Sequence, residues 1–245
     1  MEENKTENKV SSASYTVPGA IVIAGLIIAG AIYSQGSGSA PSAGQVAAPS
    51  IAANAKLENL KPISAADHLL GDPQAPIKIV EFSDLECPFC KTFHKTMLQV
   101  MQEYGAKGQV AWVYRHFPLD QLHSKARKEA EAAECAFKLG GNDQFWTYIN
   151  KVFEITPSNN GLDLAQLPVI ASSMGLDEAD FIKCQNNGAT ASVVDAQYQD
   201  AVAAGGNGTP FPVVITPDGK KIALQGAIPF EGMKQLIDGL LAEKR

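Results

Sequence analysis

Two cysteines stand two residues apart in Glu86-Cys87-Pro88-Phe89-Cys90, directly after the apolar run Ile77 to Phe82. Thiols at that spacing hold a metal, staple a loop or trade electrons as a dithiol/disulfide couple. Phe89, Phe93, Met97, Val100 and Tyr104 then recur at helical spacing, on one face of a helix that ends near Gly105. Pro88 takes the first helical position, where its missing N–H costs little. That puts Cys87 at the N-cap and Cys90 one turn further in. Free N–H groups and the helix dipole favour negative charge there. A thiolate at Cys87 is therefore stabilised, with a pKa below the ordinary value of about 8.5. Stabilising the thiolate stabilises the reduced pair, which makes its disulfide a better oxidant.

Elements that position the pair can be read around it. Ile77 to Phe82 reads as a buried strand, and Gln109 to Phe117 as a second. A helical block follows, with segments at Ser124 to Leu139, Gln144 to Phe153, Leu164 to Met174, Glu178 to Gln185 and Ala189 to Ala204. Pro212 to Thr216, the turn Pro217-Asp218-Gly219 and Lys221 to Gln225 read as a hairpin, before a last helix from Phe230 to Lys244. A βαβ unit and a ββα unit can share one sheet with the helical block inserted between them.

The N-terminus sets the compartment. No charged residue or histidine occurs from Val10 to Ala55, and Val17 to Tyr33 is almost wholly apolar. A spanning helix needs about 20 residues, with about 17 as the lower limit. Lys5 and Lys9 precede the segment, and no basic residue follows it until Lys56. The positive-inside rule then keeps residues 1–16 in the cytoplasm and exports the rest. A cleaved signal peptide or a buried core helix are the competing readings of the apolar segment. A single-pass signal anchor at 17–34, a flexible Gly/Ser/Ala/Pro linker at 35–56 and a folded domain at 57–245 are the expectation. The net charge of −6 excludes nucleic acid as a partner, because phosphate binding needs a basic surface. There is no internal repeat.

Cys135 and Cys184 lie in the helical block, outside any CxxC spacing. In an oxidising compartment an even cysteine count favours pairing, and two separate buried thiols are the alternative. A four-cysteine zinc site would need a second close pair, which the sequence lacks, so no metal is expected. His116 and His123 flank a loop and read as surface or capping residues. Asp84 and Glu86 read as loop charges, although a carboxylate beside Cys87 would oppose its ionisation.

One further stretch completes the pattern. Gly208-Thr209-Pro210-Phe211-Pro212-Val213-Val214 precedes the hairpin. An ordinary trans proline is the base expectation there, since few X-Pro bonds are cis, about 5%. Taken with EFSDLECPFC, YRHFPL and EAAEC, this stretch resembles the DsbA-like branch of the thioredoxin superfamily, over roughly Leu57 to Arg245. The resemblance implies an α/β thioredoxin fold: a central mixed sheet, helices on both faces, and an inserted all-helical subdomain at about 122–205.

Roles follow from the resemblance residue by residue. Cys87 matches the nucleophile and Cys90 the buried resolving cysteine. Pro210 matches a cis-proline facing the disulfide which, with Thr209, docks an extended substrate; Pro88 and Phe89 complete the docking surface. Glu81 matches a buried acid that relays a proton for Cys90; on the residues alone it reads equally as an acid on the solvent side of an edge strand. A structural Cys135–Cys184 bridge also fits the resemblance. Phe89 departs from the histidine of the most oxidising members and cannot donate a hydrogen bond to the thiolate, which implies a milder potential. Pro212 departs from the usual small or hydroxylated residue and alters the groove.

The implied function is a membrane-anchored extracytoplasmic protein disulfide oxidoreductase, a dithiol oxidase with no cofactor beyond its Cys87–Cys90 disulfide. Exported proteins with free thiols would be its substrates, and a membrane partner of the quinone-linked type would re-oxidise it. With no dimerisation domain before the first strand, a monomer is expected. A reductase or isomerase, or a thiol metallochaperone for a soft ion such as Cu(I), are the alternatives.

Overall fold

The computed structural model describes residues 50–52 and 55–243. The anchor read at 17–34 and most of the linker lie outside the described residues. Among the described residues, no helix is long and apolar enough to cross a membrane.

Five strands form one mixed sheet in the order β1-β3-β2-β4-β5. They are β1 (His68–Leu70), β2 (Ile77–Ser83), β3 (Val110–His116), β4 (Phe211–Ile215) and β5 (Lys221–Ala223). β2 and β3 are parallel; the β1–β3, β2–β4 and β4–β5 pairs are antiparallel. Helix α1 (Pro88–Glu103) provides the crossover from β2 to β3, as a parallel pair requires. Side-chain alternation splits the core in two. Ile77, Ile79, Val110 and Trp112 join one apolar cluster with Phe93 and Met97 of α1; Val80, Phe82 and Val113 join another on the opposite face.

The helical subdomain lies between β3 and β4: α2 (Ala126–Ile155), α3 (Gln166–Ser173), α4 (Glu178–Asn186) and α5 (Ala191–Ala203), with α6 (Phe230–Glu243) closing the chain. Gly141 breaks α2 with a φ of 78° that only glycine takes readily, so the two helical patterns separated by Gly140-Gly141 are two helices in space. Ala201 of α5 reaches the second cluster, whereas Phe145, Ile149 and Phe153 of α2 extend the first. Helices therefore cover both faces.

Two features differ from the sequence reading. β1 was not legible, because three residues are too short to show alternation. The linker also ends earlier than Lys56. Ala52 N–H donates to the Ala223 carbonyl (3.0 Å), Gln225 N–H to that of Ser50 (2.9 Å) and Lys56 N–H to that of Ala204 (2.8 Å). Ile51 thereby bridges Leu224, and the chain joins the domain at Ser50 by covering the β5 edge. Pro212 sits inside β4, buried and opposite Glu81. Its carbonyl accepts from Leu224 N–H (2.8 Å), so its missing N–H faces the β5 side and leaves the pairing with β2 intact.

Candidate active site

Cys87 caps α1 with an extended backbone (φ −80°, ψ 123°), and Pro88 occupies the first helical turn. Cys87 and Cys90 are free thiols, and Cys90 is fully buried. β4 brings Thr209 and Pro210 against them across a cis peptide bond. The Cys87 thiol donates to the Thr209 carbonyl (3.4 Å), and Asp84 N–H donates to the Cys90 sulfur (3.5 Å). Phe89 projects beside the pair with 65% of its surface exposed.

Charge is distributed unequally between the two sulfurs. The hydrogen bond from Cys90 brings the Cys87 thiol down to about 6; burial opposes this, while Thr209 and the Phe89 and Cys90 N–H groups assist. Burial pushes Cys90 well above its ordinary value, and the neighbouring Cys87 adds to the push. One sulfur is thus a stable thiolate at neutral pH and the other holds its proton.

Glu81 lies on the central strand, fully buried, which removes the solvent-side reading. Trp112 Nε1–H donates to its Oε2 (3.0 Å), and Oε1 has no protein partner. Burial pushes its pKa up to about 8. A carboxyl that titrates near neutrality can accept or release a proton at working pH.

Asp84 and Glu86 lie in the loop before α1, as read, but they are not solvated. Both are buried, and so are His116 and His123. Asp84 accepts from Glu86 N–H (2.8 Å), Leu119 N–H (2.8 Å) and His123 Nδ1 (2.9 Å). The Glu86 carboxylate accepts from the N–H groups of Asn160, Gly161 (3.2 Å) and Leu162 (3.3 Å). Those donors converge because Ser158, Asn159 and Asn160 run consecutively in the left-handed region, at φ 64°, 52° and 65°. Successive N–H groups turned inward in this way make an anion-binding concavity, and the anion here belongs to the residue before the nucleophile. Lys91 Nζ adds a bond from α1 to the Thr156 carbonyl (2.6 Å). Hydrophobic periodicity cannot report buried carboxylates; the run of Asn and Gly at 159–161 was the available signal for the turn.

Glu129 is buried, and burial together with the nearby Glu86 carboxylate pushes it up to about 10. Glu129 is then protonated in the folded chain and ionised in the unfolded chain between pH 4.5 and 10. The unfolded state binds fewer protons, so stability is full below pH 4.5 and falls as pH rises through that window. Glu129→Gln keeps the shape of the side chain and removes the titration. Urea unfolding should show the variant losing about 2 kcal/mol less than wild type between pH 6 and pH 8. Parallel pH profiles would show that Glu129 is charged in the fold.

In the helical subdomain, Cys135 of α2 and Cys184 of α4 form a disulfide, with Cα atoms 5.9 Å apart. They are therefore unavailable to a four-cysteine zinc site, and among the described residues no group of three or more His, Cys, Asp or Glu side chains is arranged to hold a metal. A cleft of about 390 Å³ is lined by Thr209 and Pro210 together with Phe211, Leu224 and Ile51.

Comparison with known proteins gives a consistent picture. A family model described as thioredoxin matches residues 64–239. The structure superposes on Pseudomonas aeruginosa DsbA2 with a TM-score of 0.60 at 30% identity, covering 74% of this chain and 97% of that one. It superposes on Wolbachia pipientis alpha-DsbA1 with a TM-score of 0.65 at 25% identity, covering 76% and 96%. Among curated sequences, the Mycolicibacterium gilvum Na(+)/H(+) antiporter NhaA 1 is 37% identical over 98 residues, 40% of this chain and 15% of that protein. The chain spans 15 to 24% of the length of the first curated relatives it matches.

Proposed function

Because the chain belongs to the thioredoxin family and is a thiol–disulfide oxidoreductase of the DsbA-like kind, we propose that it acts as a dithiol oxidase on exported proteins. In this reading residues 17–34 anchor it in the cell membrane, and its catalytic domain faces the extracytoplasmic space as a monomer. Lys5, Lys9 and the uncharged stretch to Ala55 support that placement.

The reaction begins from the Cys87–Cys90 disulfide. A substrate thiolate attacks the Cys87 sulfur and forms a mixed disulfide. Cys90 leaves as a thiolate and takes a proton, for which Glu81 is the acid. A second substrate thiolate then attacks the substrate sulfur of the mixed disulfide, and Cys87 departs as a thiolate. The substrate loses two electrons to the enzyme pair. A membrane partner of the quinone-linked type accepts them and restores the disulfide. The Thr209-Pro210 segment docks the substrate backbone, and Pro88 and exposed Phe89 provide an apolar platform beside it.

The unequal pair carries this reading: a Cys87 thiol at about 6 beside a Cys90 thiol pushed far up. The sulfur with the lower pKa leaves faster, which favours release of oxidised substrate. At pH 7 a thiol of pKa about 6 gains roughly 1.4 kcal/mol over an ordinary one, about 30 mV for a two-electron couple. The reduction potential measured against a glutathione buffer should lie at least about 20 mV above thioredoxin's value of about −270 mV. A value at or below thioredoxin's would make the protein a reductase.

A further inference from the structure

Glu81 does not sit alone on its face of the sheet. Strand register puts Glu81 opposite Tyr114, and Tyr114 opposite His68, in one row across β2, β3 and β1. Ser83 stands opposite His116 in the next row. Alternation aims all five side chains at the face that carries Ile77, Ile79 and Trp112. Glu134 of α2 covers the far end, with its Oε1 2.7 Å from His68 Nε2 and 3.3 Å from His116 Nε2. Each of the six residues is at most 3% exposed. A polar stripe therefore crosses an otherwise apolar core, from the central strand beneath Cys90 to the edge strand β1.

The stripe is also unsatisfied. Glu81 Oε1, Ser83 Oγ, the Tyr114 hydroxyl and His68 Nδ1 are buried without a hydrogen-bond partner, and His116 Nε2 has only the Glu134 carboxylate, at 3.3 Å. Orphan polar atoms in folded proteins are uncommon and costly, and a contiguous set of them is what internal water bridges. In the loop before α1, by contrast, Asp84 accepts three hydrogen bonds and the Glu86 carboxylate three.

We propose that this stripe is a hydrated proton path that serves the Cys90 sulfur through Glu81, with Tyr114, Ser83 and His116 linking Glu81 to the Glu134–His68 pair. It deepens the exchange reading of the same cysteines and rests on it. When the disulfide opens, the Cys90 thiolate takes a proton from the Glu81 carboxyl. The Glu81 carboxylate regains one from the Tyr114 hydroxyl, and Tyr114 regains one through Ser83 or His116. The proton enters at the edge of the sheet through the His68 imidazole, which Glu134 holds in place. Closing the disulfide runs the same transfers backwards. The charges suit this use: burial lowers the His116 pKa, so its imidazole is neutral and can take a proton at one nitrogen and give one at the other. The two histidines hold Glu134 down to about 2, against burial, so it stays a carboxylate. The path leaves away from Thr209 and Pro210, so a docked substrate does not block it.

Tyr114→Phe tests the path, since it deletes only a hydroxyl that bonds to no protein group. Reduction of the Cys87–Cys90 disulfide by dithiothreitol would be followed from pH 5 to pH 9, in water and in deuterium oxide. The variant should react about tenfold more slowly than wild type with a larger solvent isotope effect, while the Cys87 thiolate, read by its absorbance, titrates unchanged. Glu81→Gln should slow the reaction as well, and Glu81→Gln/Tyr114→Phe should be no slower than Glu81→Gln alone. Superimposable profiles for wild type and Tyr114→Phe would overturn the path and leave the stripe structural. Equal slowing of wild type and Glu81→Gln by Tyr114→Phe would also overturn it, since the hydroxyl would then act independently of Glu81. The oxidase reading fails on the reduction potential instead, so the two failures are distinguishable.

Discussion

Replacing Cys87 with serine should reduce oxidation of a model dithiol peptide to the uncatalysed background. The hydroxyl cannot form the mixed disulfide, and no other free thiol stands at the helix N-cap. Cys90 does not substitute for it: fully buried and with its pKa pushed well up, it is neither accessible nor ionised at neutral pH. The companion change, Cys90→Ala, should behave differently. Cys87 keeps its backbone donors and its contact with Thr209, so it should still form a mixed disulfide with a small disulfide reagent, and that adduct should accumulate because nothing resolves it. Mass measurement of the adduct separates the two variants. Undiminished turnover by Cys87→Ser would remove Cys87 from the nucleophile's role.

The second large effect concerns stability. Cys135 and Cys184 are separated by 49 residues, and bridging them limits the unfolded chain over that whole loop. In the chain-entropy model this is worth roughly 4 kcal/mol. Replacing both with alanine should therefore lower the thermal midpoint by about 10 °C for a domain of this size. Both sulfurs belong to the main apolar cluster, so the alanines add a modest packing loss in the same direction. The reduction potential of Cys87–Cys90 should not move, because the bridge joins α2 to α4 and touches neither active cysteine. An unchanged midpoint would mean that the loop is already held in the unfolded ensemble.

Those two experiments probe what the sequence made legible. The strand before the cysteines, Pro88 at the start of α1 and the Thr209-Pro210 segment carry local signals: alternation, helical spacing and turn chemistry. Their positions followed from nearest neighbours in the chain. The rest depends on burial across the chain, which local patterns do not encode. Asp84, Glu86, Glu129 and Glu134 look like solvated charges in a helical or loop context, yet all four are buried. Asp84, Glu86 and Glu134 become tolerable only through partners that are distant in sequence, such as Asn160 to Leu162 for Glu86 and His68 for Glu134, and Glu129 by keeping its proton. His68 was invisible for a second reason, since its strand is three residues long. The attachment of Ser50 and Ala52 to β5 was hidden by composition, because Ala, Ser and Gly read as linker whether or not their backbone finds a sheet edge.

The left-handed turn at Ser158 to Asn160 has a consequence for transplanting this chemistry into other proteins. Its grip on Glu86 joins the inserted helices to the residue before the nucleophile, so the CPFC segment is not a portable cassette. Moved alone into a smaller thioredoxin frame, it would bring a carboxylate without its cradle and leave that charge facing the Cys87 thiolate. A donor graft would have to carry residues 156–162 with it, or exchange Glu86 for a neutral residue. The same interlock predicts paired substitution: chains that lose the Asn-Asn-Gly turn should lose the acid before the first cysteine as well.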